Sequence, residues 1–207
     1  ILFADIRRFT RTTQELGPQG TVALLNRFFE EMVMIVRKHR GFVDKFMGDG
    51  VLAVFGVPGN HHCGEDALEA AVEMFDAMET VDFGAPLSIR AGISSGPLIS
   101  GNIGSFDRLD YTVIGNPVNE AAKLLEIARR TGESLLLTGY SHGRLNETHQ
   151  QQCRRLPQML GEIPVYAYGE ANISPVLAYT SDQERSRSFK RSMALLAASY
   201  PISTGLR

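Results

Sequence analysis

Residues 42–55 constrain this chain more than any other stretch. Two runs rich in strand-forming residues, 42–47 and 51–55, are separated by Gly48, Asp49 and Gly50. Glycine takes the positive φ angles of a tight turn without the penalty a side chain brings, so the pattern predicts a β-hairpin with a carboxylate at its tip. Near the start of the chain, the apolar run 1–4 ends on Asp5. A buried strand that delivers an acid to its exposed end reads this way.

Around these two acids the periodicity alternates between strand and helix. Apolar residues at Val22, Leu25, Phe29, Met32 and Val36 fall at helical spacing, so a helix is expected from residue 19 to about residue 40, after a polar loop through Gly17-Pro18. Gly41 stops it. Glu65 and Asp66 open a second helix, whose stripe is Leu68, Ala71, Val72, Phe75 and Met78. A strand over 87–95 and a hairpin of 98–103 with 111–114 follow. A third helix has Asn116 as its N-cap and Pro117 at the first helical position, and runs to about residue 130. Strands over 134–137 and 163–168 complete the order. The expected fold class is α+β, a mostly antiparallel sheet with helices packed on one side of it.

A chain of 207 residues, 43% of them hydrophobic, supports one substantial core and an appended segment. We place one domain over 1–169. Residues 170–207 are read as a linker and an amphipathic helix carrying Phe189, Met193, Leu196 and Tyr200 on one face. With 21 basic and 23 acidic residues intermixed, the chain has no broad cationic footprint for nucleic acid. Two cysteines, Cys63 and Cys153, fit a reducing, cytoplasmic setting better than a disulfide framework. His61-His62-Cys63 is read as surface loop rather than a zinc cluster, because no second ligand pair follows at useful spacing. The chain opens in mid-strand, so it is read as a piece of a longer polypeptide whose upstream part holds a sensor or membrane domain.

The chemistry sits in three blocks: Phe3-Ala4-Asp5-Ile6-Arg7-Arg8-Phe9-Thr10, then Lys45-Phe46-Met47-Gly48-Asp49-Gly50 with Ala53-Val54-Phe55-Gly56, and Tyr111-Thr112-Val113-Ile114-Gly115-Asn116-Pro117-Val118-Asn119. Paired carboxylates such as Asp5 and Asp49 suit the hard divalent cations that accompany nucleoside triphosphates. In order and spacing the blocks resemble the signature of class III adenylate and guanylate cyclases, over about residues 1–168. Three linked blocks are far more specific than one short motif.

The resemblance implies a ferredoxin-like sandwich, the class III cyclase fold, that turns ATP into 3′,5′-cyclic AMP and pyrophosphate. It implies that Asp5 and Asp49, with the Ile6 carbonyl, hold two Mg²⁺ or Mn²⁺ ions. Backbone amides from Ile6 through Arg7, Arg8 and Phe9 to Thr10 would cradle phosphate oxygens at the start of the first helix. Lys45 and Thr112 would read the base: adenine N1 accepts and its 6-amino group donates, so the reader needs one donor and one acceptor. Asn119 and Lys123 would act at the ribose and the reacting phosphate. On a helix they lie on one face, about 40° apart, away from Val118, Ala121, Leu125 and Ala128. The resemblance also implies a head-to-tail homodimer, with Asp5 and Asp49 of one protomer facing Lys45, Thr112, Asn119 and Lys123 of the other.

Two departures stand out. The family places arginine where this chain has Lys123, and a triphosphate-binding lysine in the turn before the last strand, where this chain reads Gln158-Met159-Leu160-Gly161-Glu162. Lysine keeps the charge but loses the planar fork that grips two phosphate oxygens together. The alternative reading is therefore a catalytically weakened, nucleotide-binding regulatory module with the same fold. A guanylate cyclase is a lesser alternative, opposed by Lys45.

Overall fold

In the computed structural model of the chain, the described residues are 1–56 and 62–169. The expected terminal helix with Phe189, Met193, Leu196 and Tyr200 lies outside them, as does His61. Strand Leu2–Ile6 (β1) leads into the long helix Phe9–Lys38 (α1) and the hairpin Phe42–Met47 (β2) and Gly50–Val54 (β3). Helix Cys63–Thr80 (α2), strand Ile89–Ile93 (β4), the hairpin Ile99–Ser105 (β5) and Arg108–Ile114 (β6), and helix Asn116–Thr131 (α3) come next. Strand Leu135–Thr138 (β7), the short helices Gly139–His142 (α4) and Glu147–Gln151 (α5), and strands Cys153–Leu160 (β8) and Ile163–Tyr168 (β9) complete the described part.

Seven strands form one sheet in the order β2-β3-β1-β4-β7-β9-β8, and β5 with β6 forms a separate two-stranded sheet. Among the described residues only β4 and β7 pair in parallel, and the other pairings are antiparallel. The α+β class with a mostly antiparallel sheet therefore holds. The helices, expected on one side, divide between the two faces. Side chains alternate along a strand, and β1 shows the consequence: Leu2, Ala4 and Ile6 join the core filled by α1 and α2, whereas Ile1 and Phe3 join a core reached by Val118 and Ala121 of α3. A two-residue period puts apolar groups on both faces of a buried strand, and each face needs a helix.

Several local readings shift for physical reasons. The stretch before Gly17 is helical, with Phe9 and Leu16 packed against the core; the chain leaves helical geometry at Gly17 and resumes with Pro18 in the following turn. The buried stripe of α1 is Leu24, Phe28, Met32, Ile35 and Val36, while Val22 stays exposed. Asn116 begins α3 without capping it, since Gly115 holds the N-cap position. Strand β8 has no counterpart in the sequence reading. Pro157 interrupts its pattern, and the register shift between Arg155 and Met159 accommodates that residue.

Helix α3 lies close on β4 because Gly92 has no side chain. A Cβ there would come within 2.8 Å of both the Ala121 carbonyl oxygen and Leu124 Cβ. We predict that Gly92→Ala destabilises the domain by about 1–3 kcal/mol through overpacking, measured as a lower urea midpoint with an unchanged slope.

Candidate active site

Strand β1, flanked by β3 and β4, places Asp5 opposite Gly50 on one side and Arg90 on the other. Directly opposed residues share a face, so Asp5 and Arg90 meet on the face that carries α3. Arg90 Nε lies 2.8 Å from Asp5 Oδ1, both side chains being largely buried, and Arg129 from α3 reaches Oδ2 at 3.5 Å. Yet neither Asp5 Oδ1 nor Arg90 Nε makes an aligned hydrogen bond. The charges touch without the geometry that would satisfy them. Asp49 stands in the turn between β2 and β3, where Gly48 takes φ 64°.

Burial pushes the Asp5 carboxyl above the usual aspartate range; Arg90 opposes this, and the negative charge of Asp49 adds to it. A largely buried carboxylate whose oxygen makes no aligned hydrogen bond, and which a second carboxylate repels, is what a divalent cation relieves. The chemistry of Asp5 and Asp49 therefore fits a divalent cation. The titration follows from the sign of the shift. A raised carboxyl favours the metal-free fold below about pH 3.8, and that contribution is lost as pH rises through the raised value.

Downstream of Asp5 the chain turns sharply into α1. Arg8 adopts left-handed geometry (φ 54°, ψ 29°) at the N-cap and makes no side-chain cap. A non-glycine residue there costs on the order of 1 kcal/mol. The turn leaves the first amides of α1, at Phe9 and Thr10, without an intrahelical acceptor. Arg7 is engaged otherwise. Its amide donates to the Ser88 carbonyl at 2.8 Å, and its guanidinium donates to the carbonyls of Ile89 at 3.0 Å and Glu133 at 2.6 Å. Arg7 thus ties the end of β1 to β4 and to the segment before β7, and of the amides read as a phosphate cradle, those of Arg8, Phe9 and Thr10 remain.

The second group lies on β2 and β6. Lys45 Nζ donates to Thr112 Oγ1 at 2.8 Å, joining two residues 67 positions apart. Thr112 in turn donates to Asp44 Oδ2 at 3.0 Å. Asn119 and Lys123 are exposed on the outer face of α3, with Ala121, Leu125 and Ala128 buried beneath. Glu120 accepts from Ser94 Oγ at 2.5 Å and fixes the first turn of that helix against the end of β4.

Along α3, Asn119 stands toward the opposite end from the arginine that meets Asp5. Arg129, which reaches Asp5, lies ten positions after Asn119, about 15 Å further along the helix axis at 1.5 Å per residue. Arg90, Arg129 and Asp44 are the members that motif reading did not find. A charge inside each of the apolar runs 87–95 and 42–47 is the sequence signal that marks two of them. Cys63 and Cys153 are both free, and burial pushes the Cys153 thiol up to about 11.

Because Asp49 raises Asp5, neutralising it should lower the Asp5 carboxyl. We predict that Asp49→Asn moves the Asp5 carboxyl ¹³C titration to lower pH in the metal-free protein. An unmoved titration would mean that the two carboxylates do not share a site.

The chain was compared with known proteins. The family model for the adenylate and guanylate cyclase catalytic domain matches residues 1–170. The uncharacterized protein Rv1318c of Mycobacterium tuberculosis is 41% identical over 137 residues, 66% of this chain and 25% of its own length. The chain thus spans about a quarter of the length of the curated relatives it matches. Among solved structures, a bacterial light-regulated adenylyl cyclase superposes with a TM-score of 0.74 at 28% identity, covering 84% of this chain and 52% of that one. The guanylyl cyclase Cya2 superposes with a TM-score of 0.70 at 27% identity, covering 84% and 92%. On the match of its sequence over 1–170 and of its fold, the chain belongs to the class III adenylate and guanylate cyclase catalytic domains.

Proposed function

We propose that this domain is an adenylate cyclase, which converts ATP to 3′,5′-cyclic AMP and pyrophosphate at sites shared by two protomers. One observation carries the choice of ATP: Lys45 Nζ and Thr112 Oγ1 stand side by side at 2.8 Å. A lysine beside a hydroxyl offers a donor for adenine N1 and an acceptor for the 6-amino group, whereas guanine reverses both.

In this reading Asp5, Asp49 and the Ile6 carbonyl hold two Mg²⁺ or Mn²⁺ ions. Such ions neutralise the triphosphate and ease deprotonation of the ribose 3′-hydroxyl. The first amides of α1 bind phosphate oxygens. Asn119 orients the ribose, and Lys123 sets positive charge against the α-phosphate as negative charge develops. The 3′-oxygen attacks the α-phosphorus, the hydroxyl proton is released, and the bond to the pyrophosphate oxygen breaks. Arg130 lines the groove beside Gln158 and Met159 and supplies a cation near the turn that carries Leu160.

The offset of about 15 Å between Asn119 and Arg129 along α3 supports the dimer. Asp5 of one protomer is completed by Lys45, Thr112, Asn119 and Lys123 of the partner, and a twofold arrangement makes two such sites. The surface fits this. The β5–β6 hairpin exposes Ile99, Leu109 and Tyr111, with Phe106 fully exposed at its tip. A ribbon so apolar is ordinary for an interface and unfavourable in water. Among the described residues no helix is long and apolar enough to cross a membrane. Control by an upstream sensor or membrane domain of the longer polypeptide would act on how the protomers meet. The second reading, a weakened regulatory module, is favoured by Lys123 and Leu160.

Purified protein incubated with ATP or GTP and Mg²⁺ or Mn²⁺ should yield cyclic AMP in preference to cyclic GMP. Asp49→Ala should lose at least about a hundredfold of the rate, and Lys123→Arg should raise it by restoring the guanidinium fork. No cyclic nucleotide from a folded dimer would establish the regulatory module instead. Phe106→Asp should shift the protein toward monomer in sedimentation velocity and lower the rate per protomer at a fixed concentration.

A further inference from the structure

Thr112 is an ambiguous reader. Its hydroxyl has one donor and two acceptor positions, so a freely rotating threonine could accept from the 6-amino group of adenine or donate to the 6-oxo group of guanine. Asp44 removes that ambiguity. Thr112 Oγ1 donates to Asp44 Oδ2 at 3.0 Å, so the one hydroxyl proton is directed at Asp44. An ammonium only donates, so Lys45 at 2.8 Å must occupy one Thr112 lone pair. One lone pair remains.

The lysine is counted in the same way. Of its three N–H groups, one serves Thr112 and one faces Asp44 Oδ2 at 3.3 Å. One donor remains. The triad therefore presents one free donor beside one free acceptor, which complements adenine N1 and its 6-amino group and opposes guanine at both positions.

The backbone makes the arrangement. Adjacent residues of a regular strand point to opposite faces, but the β2–β3 register shifts between Val43 and Lys45, so a bulge at Asp44 lets consecutive side chains address one hydroxyl. The Asp44 side chain is 1% exposed, and its Oδ1 has no hydrogen-bond partner. A buried carboxylate with an unpaired oxygen is costly for the fold alone, which argues for a role beyond packing.

We propose that Asp44 is a positioning residue for base selection: it fixes the Thr112 hydroxyl as an acceptor and thereby sets the preference for a 6-aminopurine over a 6-oxopurine. The inference rests on the adenylate cyclase reading and adds to it a residue that would not itself touch the base. Binding of 3′-deoxy-ATP and 3′-deoxy-GTP, which lack the attacking hydroxyl, tests it without turnover. Wild type should prefer the adenine nucleotide, and Asp44→Ala should narrow that preference about tenfold. Thr112→Val should weaken 3′-deoxy-ATP about tenfold in the wild-type background and less than about threefold beside Asp44→Ala, because the two residues act as one unit.

If Asp44→Ala fails to fold, wild type alone decides. The triphosphate of 6-methoxypurine 3′-deoxyriboside should bind more weakly than that of unsubstituted purine 3′-deoxyriboside, since an acceptor would then face an acceptor; equal or tighter binding overturns the proposal. A wild type that prefers adenine while folded Asp44→Ala keeps the same ratio overturns the role of Asp44 and leaves the adenylate cyclase reading standing. A wild type that prefers guanine overturns both.

Discussion

The structure is organised around a largely buried carboxylate near the end of an interior strand. Asp5 sits on β1 with β3 paired on one side and β4 on the other, so its backbone is fixed and its side chain cannot move far from Arg90. Burial disfavours its charge, Asp49 disfavours it further, and Arg90 with Arg129 compensates only in part. A site held in this state has much to gain from a divalent cation and little freedom to relax without one. Fixed, incompletely satisfied charge is how a folded scaffold prepares for a charged ligand before that ligand arrives.

The same sheet separates stability from chemistry. One face is apolar and covered by α1 and α2, with Phe28, Met32, Leu68 and Met74 fully buried. The other carries α3, and there the apolar cluster gives way to Asp5, Arg90, Lys45 and Thr112. Helix α3 serves both functions. Its inner side packs on Gly92 and on the cluster with Leu136 and Val165, while its outer side presents Asn119 and Lys123. A rigid helix ties the spacing of its ends to its length, so the residues at its start and the arginine that reaches Asp5 near its end belong to different places. That spacing is what supports the proposal of a site completed by a second copy of the chain.

Much of this was legible in the sequence. The turn at Gly48-Asp49, the acid at the end of the first strand, the helix after Gly115 and the polar pair Asn119 and Lys123 all follow from rules that act over a few residues. Strand β8 was not legible, because Pro157 breaks its pattern and only pairing with β9 holds it extended. The helical stretch before Gly17 was missed for a related reason: its sequence is polar, and two side chains, Phe9 and Leu16, secure it to the core.

By itself the sequence determined which residues carry charge, where the backbone turns and which short segments are apolar, since those properties are local. Tertiary structure decided the partners. It set Arg90 against Asp5 across β1 and β4, divided the helices between the two faces, and used a one-residue bulge to bring Asp44 and Lys45 to the same hydroxyl of Thr112. Those outcomes depend on strand register and helix packing. One residue of slip in a strand reverses every side chain, and no pattern read along a single segment contains the register of its neighbour.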